Sequence, residues 1–419
     1  MKHAAVYYSS IFTLFCFTFL ILSCNDTIDQ PLVLSTTPSG EQIENSRFAK
    51  FVNELKDLPI DQRTAVIKNF ISDYPVSPII ENNLACFYWY GKANSVLING
   101  DIQLGWERPD TMEPISCGDE KLFYRIYSLP ADARVDYQFI VDGTIITDPR
   151  NPIITPSGFG LHSQCAMPMF KSDNVLLYRA DILHGTIDSL FFESKQTSIQ
   201  PRSLKIYKPA NYDSLNSLPA LYVNDGFKAI DYCSYINVLD NLIADKKIKP
   251  VLVVFLDFVE NDQDYFLNKT DEYFNAVCNE LVPFIDAKYN TSKQAKDRVV
   301  AGISAGAHIS LLTALKRPDV FLNAAGQSPT TTEELFDAID SASKLGQTKE
   351  MLKLYFDVGR FDLVQSGIDN NSFLYANQLL SKELKNAGIN HIFNIFNDGH
   401  EWASWRERTD KILIYFFNK

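Results

Sequence analysis

The chain has 419 residues, of which 46% are hydrophobic and 21% charged, and its formal net charge is −12. This composition is typical of a globular protein with an apolar core, and the length predicts two domains rather than one. An acidic surface repels nucleic acid and anionic lipid, so the charge balance excludes both as binding partners.

The N-terminus has the pattern of an export signal over residues 1–23. Lys2 and His3 precede an apolar run that is too short to span a membrane comfortably and that ends at Ser23-Cys24. Residues 20–24 resemble a bacterial lipobox, in which the cysteine is lipidated and becomes the first mature residue. Cleavage nearby without lipidation and an uncleaved anchor are the alternatives.

The resemblance implies lipidation at Cys24 and an exported protein held by a lipid anchor at a bacterial membrane. We expect the outer membrane, on its periplasmic or cell-surface side. Residues 24–45 would then form a polar tether.

Residues 46–75 and 76–170 have two different patterns. In the first, apolar residues from Phe48 onward recur at helical spacing and Pro59 interrupts them, which predicts a helical hairpin. In the second, short alternating runs such as 135–141 are separated by Gly-containing turns, which predicts an all-β sandwich.

This second segment resembles the immunoglobulin-like early-set module that precedes many bacterial esterases and glycan-acting enzymes. The residues that carry the resemblance are 99–101, Trp106, 137–143 and 148–151. It implies a relative of the glycogen-binding fold, which either holds sugar or abuts the active site. Tyr88, Trp89 and Trp106 would stack on a sugar, although aromatic residues on strands more often pack in a core.

Beyond residue 180, apolar strand patterns alternate with helical patterns up to the C-terminus. The predicted buried strands are 218–223, 251–256, 299–301, 324–327, 352–356 and 391–396. The predicted helices between them include 232–245 and 271–289. Continuous apolar strands separated by helices predict a mostly parallel sheet covered on both faces. We therefore expect an α/β domain over residues 180–419.

A Gly-x-Ser-x-Gly motif lies in the middle of this domain, at residues 302–306. The preceding apolar strand and the following helical pattern predict a nucleophile elbow, whose strained turn lifts the hydroxyl of Ser304 clear of the sheet edge. A chance match in a loop is the alternative. A serine needs a base and oxyanion donors to act as a nucleophile.

An acid and then a histidine are expected after such a serine, each just past the end of a later strand. His400 follows the strand at 391–396 in a Gly-containing loop, and a surface-loop histidine is the alternative. The strand before it leads to two carboxylates, Asp357 and Asp362. Asp362 is preferred because it lies beyond the Gly359 turn, where its side chain can reach back to the imidazole, and Asp357 is the second choice.

Two backbone N–H groups are needed to hold the oxyanion. The N–H of Ala305 opens the helix after Ser304 and supplies the first. The second is predicted in the turn after the strand at 218–223, from Gly226 or Phe227, although this turn could equally be structural.

Four motifs of the α/β domain resemble the Putative esterase family, which includes enterochelin, feruloyl and acetyl-xylan esterases, S-formylglutathione hydrolase and mycolyltransferases. They are residues 221–226, 302–306, 359–362 and 399–406. The resemblance implies an α/β-hydrolase fold and serine ester hydrolysis, with Ser304, Asp362 and His400 as the catalytic residues. Departures at Ala307, where many relatives have glycine, and at 268–270, where siderophore-type relatives often have arginine, leave the substrate open.

The cysteines and histidines show no metal-binding spacing, so we expect no metal and no cofactor. A mature protein beginning at Cys24 would have five further cysteines, an odd number, so at least one is a free thiol; a disulfide among Cys86, Cys117 and Cys165 is permitted.

The predicted function is hydrolysis of carboxylic esters, with feruloyl or acetyl esters of polysaccharides or oligosaccharides preferred by analogy. A siderophore trilactone esterase, an acyltransferase and a non-catalytic glycan-binding lipoprotein are the alternatives. Trp402 and Trp405 near the histidine, and Trp106 in the sandwich, are the candidate substrate contacts.

Overall fold

The structure is a computed structural model that describes residues 35–259, 262–364 and 372–419. The described residues form one compact unit by their contacts. The predicted signal and the lipidation at Cys24 lie outside the described residues. None of the helices in the described ranges combines the length and apolarity that crossing a membrane requires.

Three helices open the described chain, namely α1 (Gly40–Asn45), α2 (Arg47–Asp57) and α3 (Ile60–Asp73). Ser39 and Ser46 cap the first two, because their hydroxyls accept hydrogen bonds from N–H groups of the first turn. Helix α2 buries Phe48, Val52 and Leu55 on one face, and that face packs against the first β-sheet.

Two antiparallel sheets follow and enclose an apolar core between them. The first sheet has the order β1-β2-β6-β5, and the second the order β4-β3-β7-β10-β9, with β8 beside β7. Their strands are β1 (Ile79–Glu81), β2 (Leu84–Gly91), β3 (Val96–Gly100), β4 (Asp110–Thr111), β5 (Glu113–Cys117), β6 (Glu120–Ser128), β7 (Arg134–Val141), β8 (Thr144–Ile146), β9 (Ile154–Ser157) and β10 (Gly160–Ala166). We refer to these two sheets as the N-terminal sandwich.

The rest of the chain is a sheet, eight-stranded in the described residues, flanked by helices. Its order is β11-β12-β14-β13-β15-β16-β17-β18, in which β11, β12 and β14 pair antiparallel and all later neighbours pair parallel. The strands are β11 (Thr186–Phe192), β12 (Arg202–Lys208), β13 (Ala220–Val223), β14 (Leu252–Leu256), β15 (Arg298–Ile303), β16 (Asn323–Gln327), β17 (Lys353–Phe361) and β18 (His391–Gly399). Together with the sandwich this is a mixed α/β fold.

Helices cover both faces of the large sheet. They are α4 (Gly226–Tyr232), α5 (Tyr235–Ala244), α6 (Asp262–Leu267), α7 (Thr270–Ala276), α8 (Val282–Lys288), α9 (Ala305–Lys316), α10 (Glu333–Ser343), α11 (Gln347–Met351), α12 (Phe373–Asn386), α13 (Trp402–Arg406) and α14 (Thr409–Phe417). Neighbouring residues of one strand enter opposite cores, as Val253 and Val254 of β14 do. Burial on both faces is why this strand is apolar without interruption.

Three predicted elements differ in the structure. The helix expected from residue 232 begins earlier, as α4, and is broken before α5 by Ser234, whose φ is 53°. The helix expected over 271–289 contains a π-helical segment, Val277–Leu281. Strands β17 and β18 run past their predicted ends because they stay paired up to Phe361 and Gly399, through a bulge.

The described cysteines do not form the disulfide that the sequence permitted. Cys86, Cys117 and Cys165, like Cys233 and Cys278, are free and buried.

Candidate active site

Ser304 lies at a sharp turn between strand β15 and helix α9. Its backbone has φ 55° and ψ −118°, a conformation that costs a non-glycine residue about 1–3 kcal/mol. The turn is tight enough that a Cβ on Gly302 would overlap the carbonyl of Gly306. The two glycines of the motif therefore allow the close approach of strand and helix that presents the serine hydroxyl.

The imidazole of His400 lies between Ser304 and Asp362. Its Nε2 is 3.2 Å from Oγ of Ser304, and its Nδ1 is 2.6 Å from Oδ1 of Asp362. The ring packs between Phe373 and Trp405, with centroid distances of 4.9 and 4.8 Å. The structure thus brings the three residues selected from the sequence into one hydrogen-bonded line.

The carboxylate of Asp362 has no exposed side-chain surface. Burial by itself would raise its pKa, but the neighbouring imidazole of His400 and hydrogen bonds from Ser328 and the N–H of Leu363 outweigh burial, so the pKa lies below its ordinary value. Asp362 is therefore ionised at neutral pH. An ionised carboxylate can accept a hydrogen bond from Nδ1–H and so fix the orientation of the imidazole.

The second carboxylate considered from the sequence, Asp357, has a different partner. It lies in β17, fully buried, 2.9 Å from the guanidinium of Arg408. Burial raises its pKa to about 7. The structure gives this residue a buried ion pair with Arg408 rather than a contact with the imidazole.

The N–H groups proposed for the oxyanion site belong to two neighbouring helix starts. Ala305 is the first residue of α9, and Gly226 and Phe227 are the first two of α4. First-turn N–H groups have no partner inside their own helix. A Cβ on Gly306 would lie 3.3 Å from Cβ of Asn224, so the first turn of α9 is adjacent to the turn that leads into α4.

The position of α4 is fixed by side chains that the sequence reasoning missed. Asn224 donates to Oγ of Ser310 on α9 at 3.0 Å, and it accepts a hydrogen bond from the hydroxyl of Tyr273. Asn224 lies in the motif at residues 221–226, but that motif does not indicate which side chains its amide contacts. Ser328 was also missed, although its φ of 49° and its hydrogen bond from Nε1 of Trp405 place it beside the acid.

The three tryptophans proposed as substrate contacts occupy different places. Trp402 and Trp405 are 4% and 2% exposed, so both pack inside the protein. Trp106 is half-buried, stacks on His162 at 4.2 Å, and lines a groove of about 310 Å³ that it shares with Leu363. Only Trp106 of the three therefore borders open space in the described residues.

The other aromatic residues considered for sugar stacking are engaged within the sandwich. Tyr88 is fully buried and its hydroxyl donates to the carbonyl of Tyr74 at 2.7 Å. Trp89 packs edge-on against Phe123. Both act as packing residues in this structure.

One group of side chains in the described residues has donor atoms close enough to hold a metal ion. Asp136, His162 and Glu401 are all buried, with one ligand atom of each within 4.8 Å of the others. Two of its members, Asp136 and His162, belong to the N-terminal sandwich, and the third, Glu401, directly follows His400. Ser304 is not part of this group.

The chain matches one protein family and resembles several known proteins. Residues 196–416, just over half of the chain, match the model of the family described as Putative esterase. An uncharacterized protein of Bacillus subtilis, YjcH, is 26% identical over 230 residues, covering 53% of this chain and 94% of that protein. The endo-1,4-beta-xylanase/feruloyl esterase of Xylanibacter ruminicola is 30% identical over 201 residues, but these cover 44% of this chain and 27% of that protein.

A solved structure shares the fold at lower sequence identity. The enterobactin esterase FES from Shigella flexneri superposes with a TM-score of 0.64 and 18% identity, over 81% of this chain and 94% of that chain.

Proposed function

The chain belongs to the Putative esterase family, and we propose that it is a serine hydrolase that cleaves carboxylic esters through an acyl-enzyme. The observation that carries this proposal is the line of contacts from Ser304 to His400 to Asp362, at 3.2 and 2.6 Å, on a strained strand-to-helix turn. Nucleophile, base and orienting acid within hydrogen-bond reach are the arrangement that activates a serine.

In the acylation step, Nε2 of His400 takes the proton of Ser304 as Oγ attacks the ester carbonyl carbon. The carbonyl oxygen becomes an oxyanion, which the N–H of Ala305 and an N–H of Gly226 or Phe227 stabilise. The C–O bond to the alcohol then breaks, and the imidazolium returns its proton to the departing alkoxide. Asp362 holds Nδ1–H and stabilises the transient positive charge.

In the deacylation step, water takes the place of the alcohol. His400 removes a proton from the water, hydroxide adds to the acyl carbon, and the second tetrahedral intermediate collapses. Ser304 leaves with the proton from the imidazolium, and the carboxylic acid is released. No metal or cofactor has a step in this scheme.

We further propose that the large sheet with its helices is an α/β-hydrolase fold and that the N-terminal sandwich is an immunoglobulin-like early-set domain. The parallel pairing from β14 to β18, with the serine after β15, supports the first assignment. The two facing antiparallel sheets support the second.

For the substrate, we propose feruloyl or acetyl esters of polysaccharides or oligosaccharides. The support is the similarity to a protein named endo-1,4-beta-xylanase/feruloyl esterase. The half-buried Trp106 at the groove beside Leu363 offers an aromatic surface of the kind that stacks on a sugar ring.

The experiment is a substrate panel on the purified chain: methyl ferulate, feruloylated arabinoxylan oligosaccharide, acetylated xylan and a catecholate trilactone, each with Ser304→Ala as the blank. The proposal predicts release of ferulate or acetate at least about tenfold faster, in kcat/KM, than trilactone opening. Preference for the trilactone would replace the polysaccharide assignment by the siderophore one. Product appearing on an added sugar acceptor instead of as free acid would identify an acyltransferase.

We also propose that the protein is exported and lipid-anchored through Cys24 at the outer membrane. The lipobox-like sequence at residues 20–24 supports this. Metabolic labelling with a fatty-acid analogue in a bacterial host tests it: label is expected on the wild type and absent from Cys24→Ser. Equal labelling of the two proteins would contradict the assignment.

A further inference from the structure

A buried polar cluster joins the N-terminal sandwich to the loop that carries His400. Its sandwich members are Asp101, Arg134, Asp136 and His162, each no more than 2% exposed. Its other member is Glu401, which is 1% exposed, directly follows His400 and lies between β18 and α13. Polar side chains this deeply buried normally have hydrogen-bond partners, but Nδ1 of His162 has none in the described residues and lies 3.8 Å from Oε2 of Glu401.

An ion pair stabilises the sandwich side of the cluster. Arg134 forms a two-pronged contact with Asp136, at 3.0 and 2.8 Å, and the N–H of Asp136 donates to Asp101 at 2.8 Å. The same guanidinium donates to Oγ of Ser404 in helix α13 at 3.2 Å. The ion pair therefore reaches across the boundary to the helix that begins just after His400.

A second hydrogen bond crosses the boundary at Glu401. The hydroxyl of Ser157, at the end of β9, donates to Oε2 of Glu401 at 2.8 Å. The backbone of Glu401 is at the same time the N-cap of α13, since its carbonyl accepts from the N–H groups of Ser404 and Trp405. The backbone of Glu401 is thus held by helix α13, and its side chain by the sandwich.

The residue before the imidazole is also in contact with the sandwich. A Cβ added to Gly399 would overlap the carboxyl group of Asp101, so that carboxyl lies directly against the backbone of Gly399. The closeness explains why glycine is required here. Sandwich groups therefore hold the chain on both sides of His400, at 399 and at 401.

The charges in the cluster are balanced without a bound ion. Arg134 neutralises Asp136, and burial raises the pKa of Asp101 well above its ordinary value and that of Glu401 to about 8. Glu401 is then a neutral acid at pH 7 and acts through its hydrogen bond and shape. The carboxylate of Asp136 is occupied by Arg134 and by the hydroxyl of Thr155 at 2.9 Å, which disfavours a divalent cation at Asp136, His162 and Glu401.

We propose that this cluster lets the N-terminal sandwich support the active site. Glu401 and Asp101 act as positioning residues that hold the backbone on either side of His400 and thereby fix the position of its imidazole. The inference rests on the proposed function, because it assumes that His400 is the base. The 3.2 Å distance between Nε2 of His400 and Oγ of Ser304 depends on the position of the loop 399–401. A displacement of about 1 Å in a catalytic group lowers rate on the order of 100-fold.

The experiment compares Glu401→Ala with Glu401→Gln in the full chain. Glutamine keeps the size of the neutral acid and an oxygen that accepts from Ser157, whereas alanine removes both. Ser157→Ala removes the donor from the sandwich side. Ile115→Ala, in the core between helix α2 and the first sheet and away from this boundary, is the control for lost stability. The readouts are kcat and KM for p-nitrophenyl acetate, the rate of fluorophosphonate labelling, and Tm.

The expected result for Glu401→Ala is a kcat roughly 10- to 100-fold lower with KM within about threefold, and labelling slowed in proportion. Glu401→Gln restores kcat to within about threefold of wild type, Ser157→Ala lowers kcat in the same direction, and Ile115→Ala lowers Tm with kcat retained. EDTA leaves the wild type unchanged.

Unchanged kcat in both Glu401→Ala and Ser157→Ala would overturn the inference. So would activity that is lost to EDTA and restored by Zn²⁺, because the cluster would then be a metal site. A wild type that neither hydrolyses the ester nor takes the label would instead refute the proposed function. The two failures are therefore separable.

Discussion

Asp362 and His400 come from the ends of neighbouring strands, β17 and β18, and their side chains meet at 2.6 Å. The meeting depends on the parallel pairing of these strands up to Phe361 and Gly399. Because the carboxylate is buried and the imidazole partly so, no bulk water competes for this hydrogen bond.

Replacing Asp362 by asparagine should lower kcat by roughly 10⁴-fold, because an amide can donate to Nδ1 and favour the wrong imidazole tautomer. KM should change little, since Asp362 does not contact the ester in the proposed scheme. Steady-state kinetics with p-nitrophenyl acetate, alongside a Tm measurement to verify folding, measure both effects. A kcat within tenfold of wild type would remove Asp362 from the catalytic set.

Replacing Asp357 by asparagine should have the opposite profile. Its partner is Arg408, so the change weakens a buried ion pair and should lower the free energy of unfolding by up to about 3 kcal/mol. The folded protein should keep kcat within about threefold. Urea unfolding together with kinetics separates the two carboxylates, and a catalytic defect larger than that of Asp362→Asn would reverse their roles.

Gly226→Ala tests the turn that supplies an oxyanion donor. A Cβ at this position would lie 2.6 Å from the Cα of Phe255, so α4 must shift away from β14. Misplacing one oxyanion donor should lower kcat by about 100-fold or more. Gly40→Ala is the control, because a Cβ there meets nothing within 4 Å, and it should keep full activity. Equal activity of the two variants would assign this turn a structural role only.

Stability should fall as pH rises from about 4 to about 8. Burial raises the pKa of Glu401 to about 8, of Asp357 to about 7 and of Asp398 to about 6, whereas a carboxyl in an unfolded chain titrates near 4. The folded state thus binds protons that the unfolded chain has released, so the contribution is full below about pH 4 and is lost as pH rises through these values. Tm should drop by several degrees between about pH 5 and pH 8.

The control for this pH dependence is Glu401→Gln, which cannot ionise. Its Tm should decline less steeply over the upper half of the range, because the group with the highest of these pKa values has been removed. A Tm that rises with pH, or an unchanged slope in the variant, would contradict the assigned protonation of Glu401.

Local patterns in the sequence were enough to place the serine, the acid and the histidine. Each lies directly after an apolar strand, and the carboxyl ends of parallel strands meet at one edge of a sheet, so spacing along the chain translates into proximity. Choosing Asp362 over Asp357 followed from the Gly359 turn, and the structure puts the former against His400 and the latter against Arg408.

What the sequence could not reveal are contacts between distant segments. The hydrogen bond from Ser157 to Glu401 joins residues 244 positions apart. Glu401 lies in the motif at residues 399–406, but nothing in that motif indicates a contact with Ser157. Trp402 and Trp405 were proposed as substrate contacts because they neighbour the histidine, yet they are buried because α13 packs its apolar side into the core. An aromatic side chain faces either substrate or core according to how its helix packs against neighbouring elements. Sequence periodicity alone does not give that orientation.

The most direct test of the account is to treat the wild type, Ser304→Ala and His400→Ala with a fluorophosphonate probe and to locate the adduct by peptide mass spectrometry. We expect close to one adduct per wild-type chain, on Ser304, with p-nitrophenyl acetate hydrolysis lost in proportion to labelling. Ser304→Ala should take no label, His400→Ala should react at least about 1,000-fold more slowly, and Ser341→Ala, an exposed serine in α10, should behave as wild type. Label on another residue, or ester hydrolysis that persists in Ser304→Ala, would contradict it.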